Sequence, residues 1–197
     1  MKQLLDRIRQ DGRVIGHEIL KVDSFLNHQL DPLLLQAIGR EFAARFAGLG
    51  VTKILTIEAS GIAVALMAGL EMGVPVLFAK KRRARTHADA VFAAPVISYT
   101  RGETVEVYVS QRFLSPEDTV LILDDFLAMG EATSGLISLV RQAGARLAGA
   151  GIVVEKGFQE GGRRLRAQGV NLQSLVVIEA LGPEGIQFAE PPGGGKQ

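Results

Sequence analysis

Short, uninterrupted apolar runs alternate along this chain with segments of helical period, and that alternation restricts the fold more than any other feature. The runs occupy residues 53–57, 76–79, 120–123, 147–154 and 174–178. Strands with one wet face alternate apolar and polar residues, whereas continuous apolar runs of this length belong to strands buried on both faces. Between the runs lie helices. Over residues 31–46, Asp31 serves as N-cap, Pro32 takes the first turn, and Leu34, Leu35, Ile38, Phe42 and Phe46 share one face before Gly48. Further helices are predicted over 62–72, stopped by Gly73 and Pro75, over 131–143, ended by Gly144, and over 160–168, ended by Gly169. The expected class is α/β, with a mainly parallel sheet of about five strands flanked by helices.

The pattern breaks between residues 80 and 110. A basic run, Lys80-Lys81-Arg82-Arg83-Ala84-Arg85, leads to two candidate strands over 95–100 and 104–110 with Arg101-Gly102-Glu103 as their turn, a hairpin signature expected to form a flexible flap. At 197 residues and 47% hydrophobic, the chain suits one domain over 1–190 followed by a disordered tail over 191–197 rich in Pro and Gly. The 22 basic residues against 21 acidic ones give a net charge of +1, which lacks the electrostatic footprint of a general nucleic-acid binder. The absence of cysteine excludes disulfides, a thiol nucleophile and Cys-ligated metal, and fits a reducing compartment. Charges interleave with the apolar residues of the first segment, unlike a signal peptide, and no apolar run approaches the roughly 18 residues of a membrane span. A cytoplasmic protein without membrane or nucleic-acid partners is the expectation. His17, His28 and His87 show no metal-ligand spacing.

Chemistry concentrates in residues 120–133. Val120-Leu121-Ile122-Leu123 reads as a strand, Asp124 and Asp125 stand at its C-terminal end, and Phe126-Leu127-Ala128-Met129-Gly130-Glu131-Ala132-Thr133 opens a helix. Ligands of open α/β sheets bind outside the carboxyl ends of strands. Backbone N–H groups at a helix N-terminus bind anions without a basic side chain. Two adjacent carboxylates would repel a phosphate but suit sugar hydroxyls or a hydrated cation. A phosphate with hydroxyls above it describes ribose 5-phosphate; the alternative is two acids that merely cap a strand–helix turn.

Apolar strand, two acids, two apolar residues and a small-residue loop together resemble the phosphoribosyl-diphosphate signature of the type I phosphoribosyltransferases. The likeness runs over nearly the whole chain to about residue 178 and is carried also by residues 20–32, 52–63 and 151–158, which are similar to bacterial members that act on xanthine. The resemblance implies transfer of a 5-phosphoribosyl group to N9 of xanthine, with Mg2+ held mainly by the diphosphate, no direct protein metal site, and a homodimer. It implies a small hood from residues 14–30 and those near 156, with Leu20, Asn27 and Lys156 on the base. It assigns Asp124 and Asp125 to catalysis, and Ala128, Met129, Gly130, Glu131 and Ala132 to the 5-phosphate. Ser60 and Gly61 would receive the pyrophosphate, with Lys80 and Lys81 compensating its charge. Many relatives carry Thr where this chain has Met129 and Ala132, and Glu131 sets a negative charge beside the expected phosphate. Three other readings remain: the same chemistry on hypoxanthine, guanine or adenine, with the Asn27 and Lys156 pair arguing against adenine; a purine-responsive repressor, for which about 30 residues before the Asp31 helix leave no room for a winged helix; and a purely structural domain.

Overall fold

Val120, Leu121, Ile122 and Leu123 are all fully buried, and they alternate between two cores: Leu121 and Leu123 in one, Val120 and Ile122 in the other. A strand covered on both faces has this signature. The computed structural model describes residues 1–81, 90–98 and 102–189; Arg82, Arg83, Arg85, His87, Arg101 and the 191–197 tail lie outside the described residues.

In chain order the elements are α1 (Lys2–Asp11), β1 (Arg13–Ile15), β2 (Ile19–Lys21), a π-helical turn (Asp23–Asn27), α2 (Pro32–Arg45), β3 (Lys53–Ile57), α3 (Gly61–Met72) and β4 (Val76–Ala79). There follow β5 (Val91–Ser98), β6 (Glu103–Ser110), β7 (Thr119–Leu127), α4 (Glu131–Gln142), β8 (Arg146–Lys156), α5 (Glu160–Ala167), β9 (Leu172–Gly182) and β10 (Gly185–Phe188). The central sheet has the order β10-β9-β8-β7-β3-β4. Its five strands from β9 to β4 are parallel, as the sequence predicts, and β10 adds a sixth, antiparallel to β9. That sixth strand corrects the five-strand expectation. It is only four residues long and pairs at a sheet edge, so it carries no run that would mark it.

The chain leaves β3 toward β4 on one side and returns at β7 to build β8 and β9 on the other. The strand order therefore reverses between β3 and β7, where an open α/β sheet opens a crevice at its C-terminal edge. α1, α2 and α3 cover one face around Phe25, Phe42 and Phe46, and α4 packs with the β5–β6 hairpin on the other. The hairpin starts at Val91, earlier than expected, and accommodates Pro95 opposite Glu106; an edge strand tolerates the missing donor. Val96 and Val107 dock it on α4 at Gly135, where a Cβ would lie 2.5 Å from the Val96 side chain.

Arg7 links α1 to the segment that follows it. Asp31 caps α2 by accepting from the Leu33 and Leu34 amides at 3.1 Å, and Arg7 of α1 donates to its other oxygen at 3.0 Å. The Arg7 guanidinium also lies 5.3 Å from the centroid of the buried Phe25 ring, which pins the π-helical turn.

Candidate active site

The site forms at the strand reversal from the C-terminal ends of β3 and β7. β7 does not stop at Leu123; it continues through Leu127, so Asp124 and Asp125 sit inside the strand rather than after it. Both are buried, and the Asp124 carboxylate accepts from the Asp125 amide at 3.0 Å. Burial pushes the Asp124 carboxyl well above the ordinary carboxylate range; the adjacent Asp125 charge raises it further, and Lys81 partly opposes both. Gly61, the first residue of α3, closes this wall: a Cβ there would lie 2.2 Å from the Thr56 hydroxyl oxygen and 2.9 Å from Asp124 Oδ1. Only a residue without a side chain lets the helix start so close to the acid.

A cleft of about 460 Å³ opens over these groups, lined by Ser60 and Glu58, by Lys81, by Asp124 through Thr133, and by hairpin residues including Val96 and Val107. Ala128, Met129 and Gly130 turn the chain into α4. Gly130 has φ 80°, the left-handed conformation that glycine adopts at least cost, and no side chain caps the helix behind it. The first backbone N–H groups of α4 are left without intrahelical or side-chain partners, an arrangement that favours an anion. Glu131, whose charge conflicts with such a site, has its carboxylate 2.7 Å from Arg164 Nη2 on α5.

α5 backs the loop. The Gly161 amide donates to the Ala128 carbonyl at 3.1 Å. α5 is in turn clamped to the sheet by Arg166, which donates to both oxygens of buried Glu155 at 2.6 and 2.7 Å; the Ser174 hydroxyl donates to the same carboxylate. Burial alone would raise the Glu155 carboxyl, but the guanidinium and the hydroxyl outweigh it and hold it below its ordinary range.

The remaining residues singled out in the sequence divide. Ser60 and Lys81 line the cleft with the acids and the loop, and the Lys81 amide donates to Glu58 Oε1 at 2.6 Å. Lys80 does not join them: its backbone pairs with Tyr108 and its ammonium lies 5.9 Å from the Phe78 ring centroid, in an apolar groove. Side chains alternate along an extended segment, so two consecutive lysines cannot both face one cleft. Asn27 ends the π-helical turn, exposed, and borders a recess with His28, Ala59 and Ser60, so Ser60 is common to the recess and the cleft. Leu20, in β2, is buried in the core. Lys156 ends β8 half-buried and donates to the Glu18 carbonyl at 2.6 Å; burial lowers its pKa, and Glu18 counters that. Neither Leu20 nor Lys156 lines the cleft between Asp124 and the loop.

Sequence reading did not single out Gly161 or Arg164. Gly161 had a signal, since paired glycines at a helix start mark a close approach; Arg164 had none, because its partner lies 33 residues away. Among the described residues no group of three or more His, Asp or Glu side chains is placed to hold a metal ion, and no helix is long and apolar enough to cross a membrane.

No protein-family model matches the chain. It is 55% identical over 189 residues to a xanthine phosphoribosyltransferase of Heliobacterium modesticaldum, covering 96% of this chain and 100% of that protein. It is 54% identical over 185 residues to a xanthine phosphoribosyltransferase of Moorella thermoacetica, covering 94% of each. Among solved structures it is similar to the adenine phosphoribosyltransferase of Rhodothermus marinus, with TM-score 0.73 at 21% identity over 90% of this chain and 99% of that one. It is also similar to the Giardia lamblia enzyme complexed with 9-deazaadenine, with TM-score 0.72 at 20% identity over 88% of this chain and 97% of that one. At that identity the structures establish the type I phosphoribosyltransferase fold, and the relatives establish the family. The chain belongs to the xanthine phosphoribosyltransferase family.

Proposed function

We propose that the protein transfers the 5-phosphoribosyl group of 5-phosphoribosyl 1-pyrophosphate to N9 of xanthine, giving xanthosine 5′-monophosphate and pyrophosphate. The observation that carries this reading is the meeting of two buried acids and an uncapped helix N-terminus in one cleft at the strand reversal. The names of relatives above 50% identity support the choice of base.

In the proposed complex the amides from Met129 to Ala132 hold the 5-phosphate, and Asp124 and Asp125 accept hydrogen bonds from the ribose hydroxyls. Ser60, with Gly61 behind it, and Lys81 face the pyrophosphate. The bond from C1′ to the pyrophosphate oxygen breaks, and its electron pair leaves with pyrophosphate. N9 then bonds to C1′, and the proton that xanthine carried there is released. Lys81 offsets the charge on the leaving group, and the cleft walls formed by Val96 and Val107 exclude water from the cationic ribosyl centre. When bound, magnesium carried in with the pyrophosphate would supply charge neutralisation of the leaving group. The Asp124 and Asp125 carboxylates would accept from the ribose hydroxyls or from water in the magnesium shell. We assign the base to the recess beside Ser60, read by Asn27, with Leu20 supporting the hood and Lys156 donating to the C6 oxygen. The same relationship to the family supports a homodimer.

Incubating the protein with labelled xanthine, 5-phosphoribosyl 1-pyrophosphate and magnesium is expected to yield xanthosine monophosphate and pyrophosphate in equal amounts; no nucleotide with any oxopurine overturns the reading. Xanthine differs from hypoxanthine by a carbonyl at C2, so a donor that reads C2 discriminates and one that reads C6 does not. Asn27→Ala is expected to lower the xanthine/hypoxanthine ratio of kcat/KM by about tenfold or more, since an unmet polar contact penalises the wrong base. Lys156→Ala should weaken both bases alike. An unchanged ratio in Asn27→Ala removes Asn27 from base selection and leaves the transfer reaction standing.

A further inference from the structure

The first turn of α4 carries an acid of its own beside the proposed anion site. Glu131 is the first residue of that helix and lines the cleft, yet its side chain is only 21% exposed. Water therefore screens its charge incompletely, and an incoming phosphate would meet it at short range. The side chain is not free to swing away into solvent either: it is tied to Arg164 of α5, at 2.7 Å. Arg164 also lies against the loop itself, with Nη2 3.6 Å from where a Cβ on Gly130 would stand. It projects from α5, which contacts the loop through the bond from the Gly161 amide to the Ala128 carbonyl.

We infer that Arg164 is a positioning residue for 5-phosphate binding, which neutralises Glu131 and draws its carboxylate out of the anion site, so that the summed charge of the Glu131–Arg164 pair sets the affinity of the loop for phosphate. This inference rests on the proposed function insofar as it takes the loop to receive a phosphate. A carboxylate at the first turn favours the helix dipole, which accounts for Glu131 being tolerable at that position. The same dipole attracts the ligand, and the two anions compete for it unless one carries its own cation. Arg164 is that cation.

The pair makes a four-way prediction in which charge alone ranks the outcomes. With both residues present the local sum is zero; Arg164→Gln leaves −1, Glu131→Gln leaves +1, and the double variant returns to zero. Calorimetric titration of the full-length protein with ribose 5-phosphate is expected to place Glu131→Gln tightest, the wild type and the double variant together, and Arg164→Gln weakest. The expected weakening in Arg164→Gln is about tenfold, the factor that 1.4 kcal/mol supplies, and it should shrink as salt is added. The KM for 5-phosphoribosyl 1-pyrophosphate should follow the same order, while the KM for xanthine stays put. If the ion pair is only a strut, either single substitution weakens binding and the double variant is no better than the worse of them; that outcome overturns the inference, as does equal binding by all four. The two readings separate cleanly. The affinity order without turnover would sustain the charge assignment and defeat the transferase reading; turnover without the order would do the reverse. A wild type that binds no ribose 5-phosphate overturns the inference outright.

Discussion

Asp124→Asn and Asp125→Asn are each expected to lower kcat by about 10²- to 10³-fold, the roughly 3–4 kcal/mol lost when a preorganised electrostatic contact to the transition state is removed. Both side chains are buried in the last part of β7 beside the phosphate loop, so either amide fits the space while the charge is lost. Stability should respond in the opposite direction for Asp124. Burial and the neighbouring Asp125 raise its carboxyl above the ordinary 3.8. The native state therefore binds a proton that the unfolded state has released, across the interval from that value up to the raised one. In that interval the unfolded chain holds fewer protons than the native one, so stability falls as pH rises. At pH 7 Asp124 accordingly costs stability, and Asp124→Asn should raise the thermal midpoint while depressing turnover. A site held against its own folding preference has this trade-off. Thermal unfolding of the variant at pH 5 and pH 8, with steady-state kinetics at the same values, checks both halves. A variant with wild-type kcat, or one destabilised at pH 8, would remove Asp124 from the role assigned to it.

The architecture was legible wherever burial dictated composition. The apolar runs are continuous because each parallel strand contributes to two cores, and the division of Leu121 from Ile122 between them is the physical origin of the pattern. Asp31 and Pro32 announced α2 because capping is local chemistry, satisfied within three residues. The strand was truncated at Leu123 for a related reason: acids ordinarily end a buried run, and Asp124 and Asp125 are buried against that tendency. α1 went unread although Leu4, Leu5 and Ile8 form one apolar face and Leu4 and Ile8 are fully buried, because the charges interleaved with them counted only against a signal peptide. Arg7 reaches Asp31 and Phe25, contacts across the chain that no local pattern encodes. Residue type and placement after strands singled out the acids, the loop and Ser60, and the structure brings them into one cleft. Which of Lys80 and Lys81 faces the cleft followed from side-chain alternation, and required the register of β4. The helix that braces the loop, and the arginine that balances Glu131, are products of tertiary packing alone.

That brace is tested most directly by Gly161→Ala, for which we expect a loss of about 10²-fold or more in kcat/KM for 5-phosphoribosyl 1-pyrophosphate, the scale of a displacement near 1 Å in a positioned group. A Cβ on Gly161 would lie 2.3 Å from the Ala128 carbonyl oxygen, 2.6 Å from the Gly130 nitrogen and 2.7 Å from the Met129 carbonyl carbon. All three atoms are backbone, so no rotamer relieves the contact and either the helix or the loop must move. α5 has little freedom to retreat. Arg166 fastens it to Glu155, and the next residue, Gly162, already stands so close that its own Cβ would meet Glu155 Oε1. The phosphate loop therefore yields. Alanine improves helix propensity over glycine by about 1 kcal/mol, and overpacking costs about 1–3 kcal/mol, so the net effect on global stability should be small beside the effect on phosphate. Gly162→Ala provides the contrast, because its Cβ strikes the Glu155–Arg166 ion pair rather than the loop. It should lower the unfolding free energy more than Gly161→Ala does, and raise the dissociation constant for ribose 5-phosphate less. Urea unfolding and calorimetric titration of the two variants separate these effects; near-wild-type ribose 5-phosphate affinity in Gly161→Ala would show that α5 does not set the geometry of the loop.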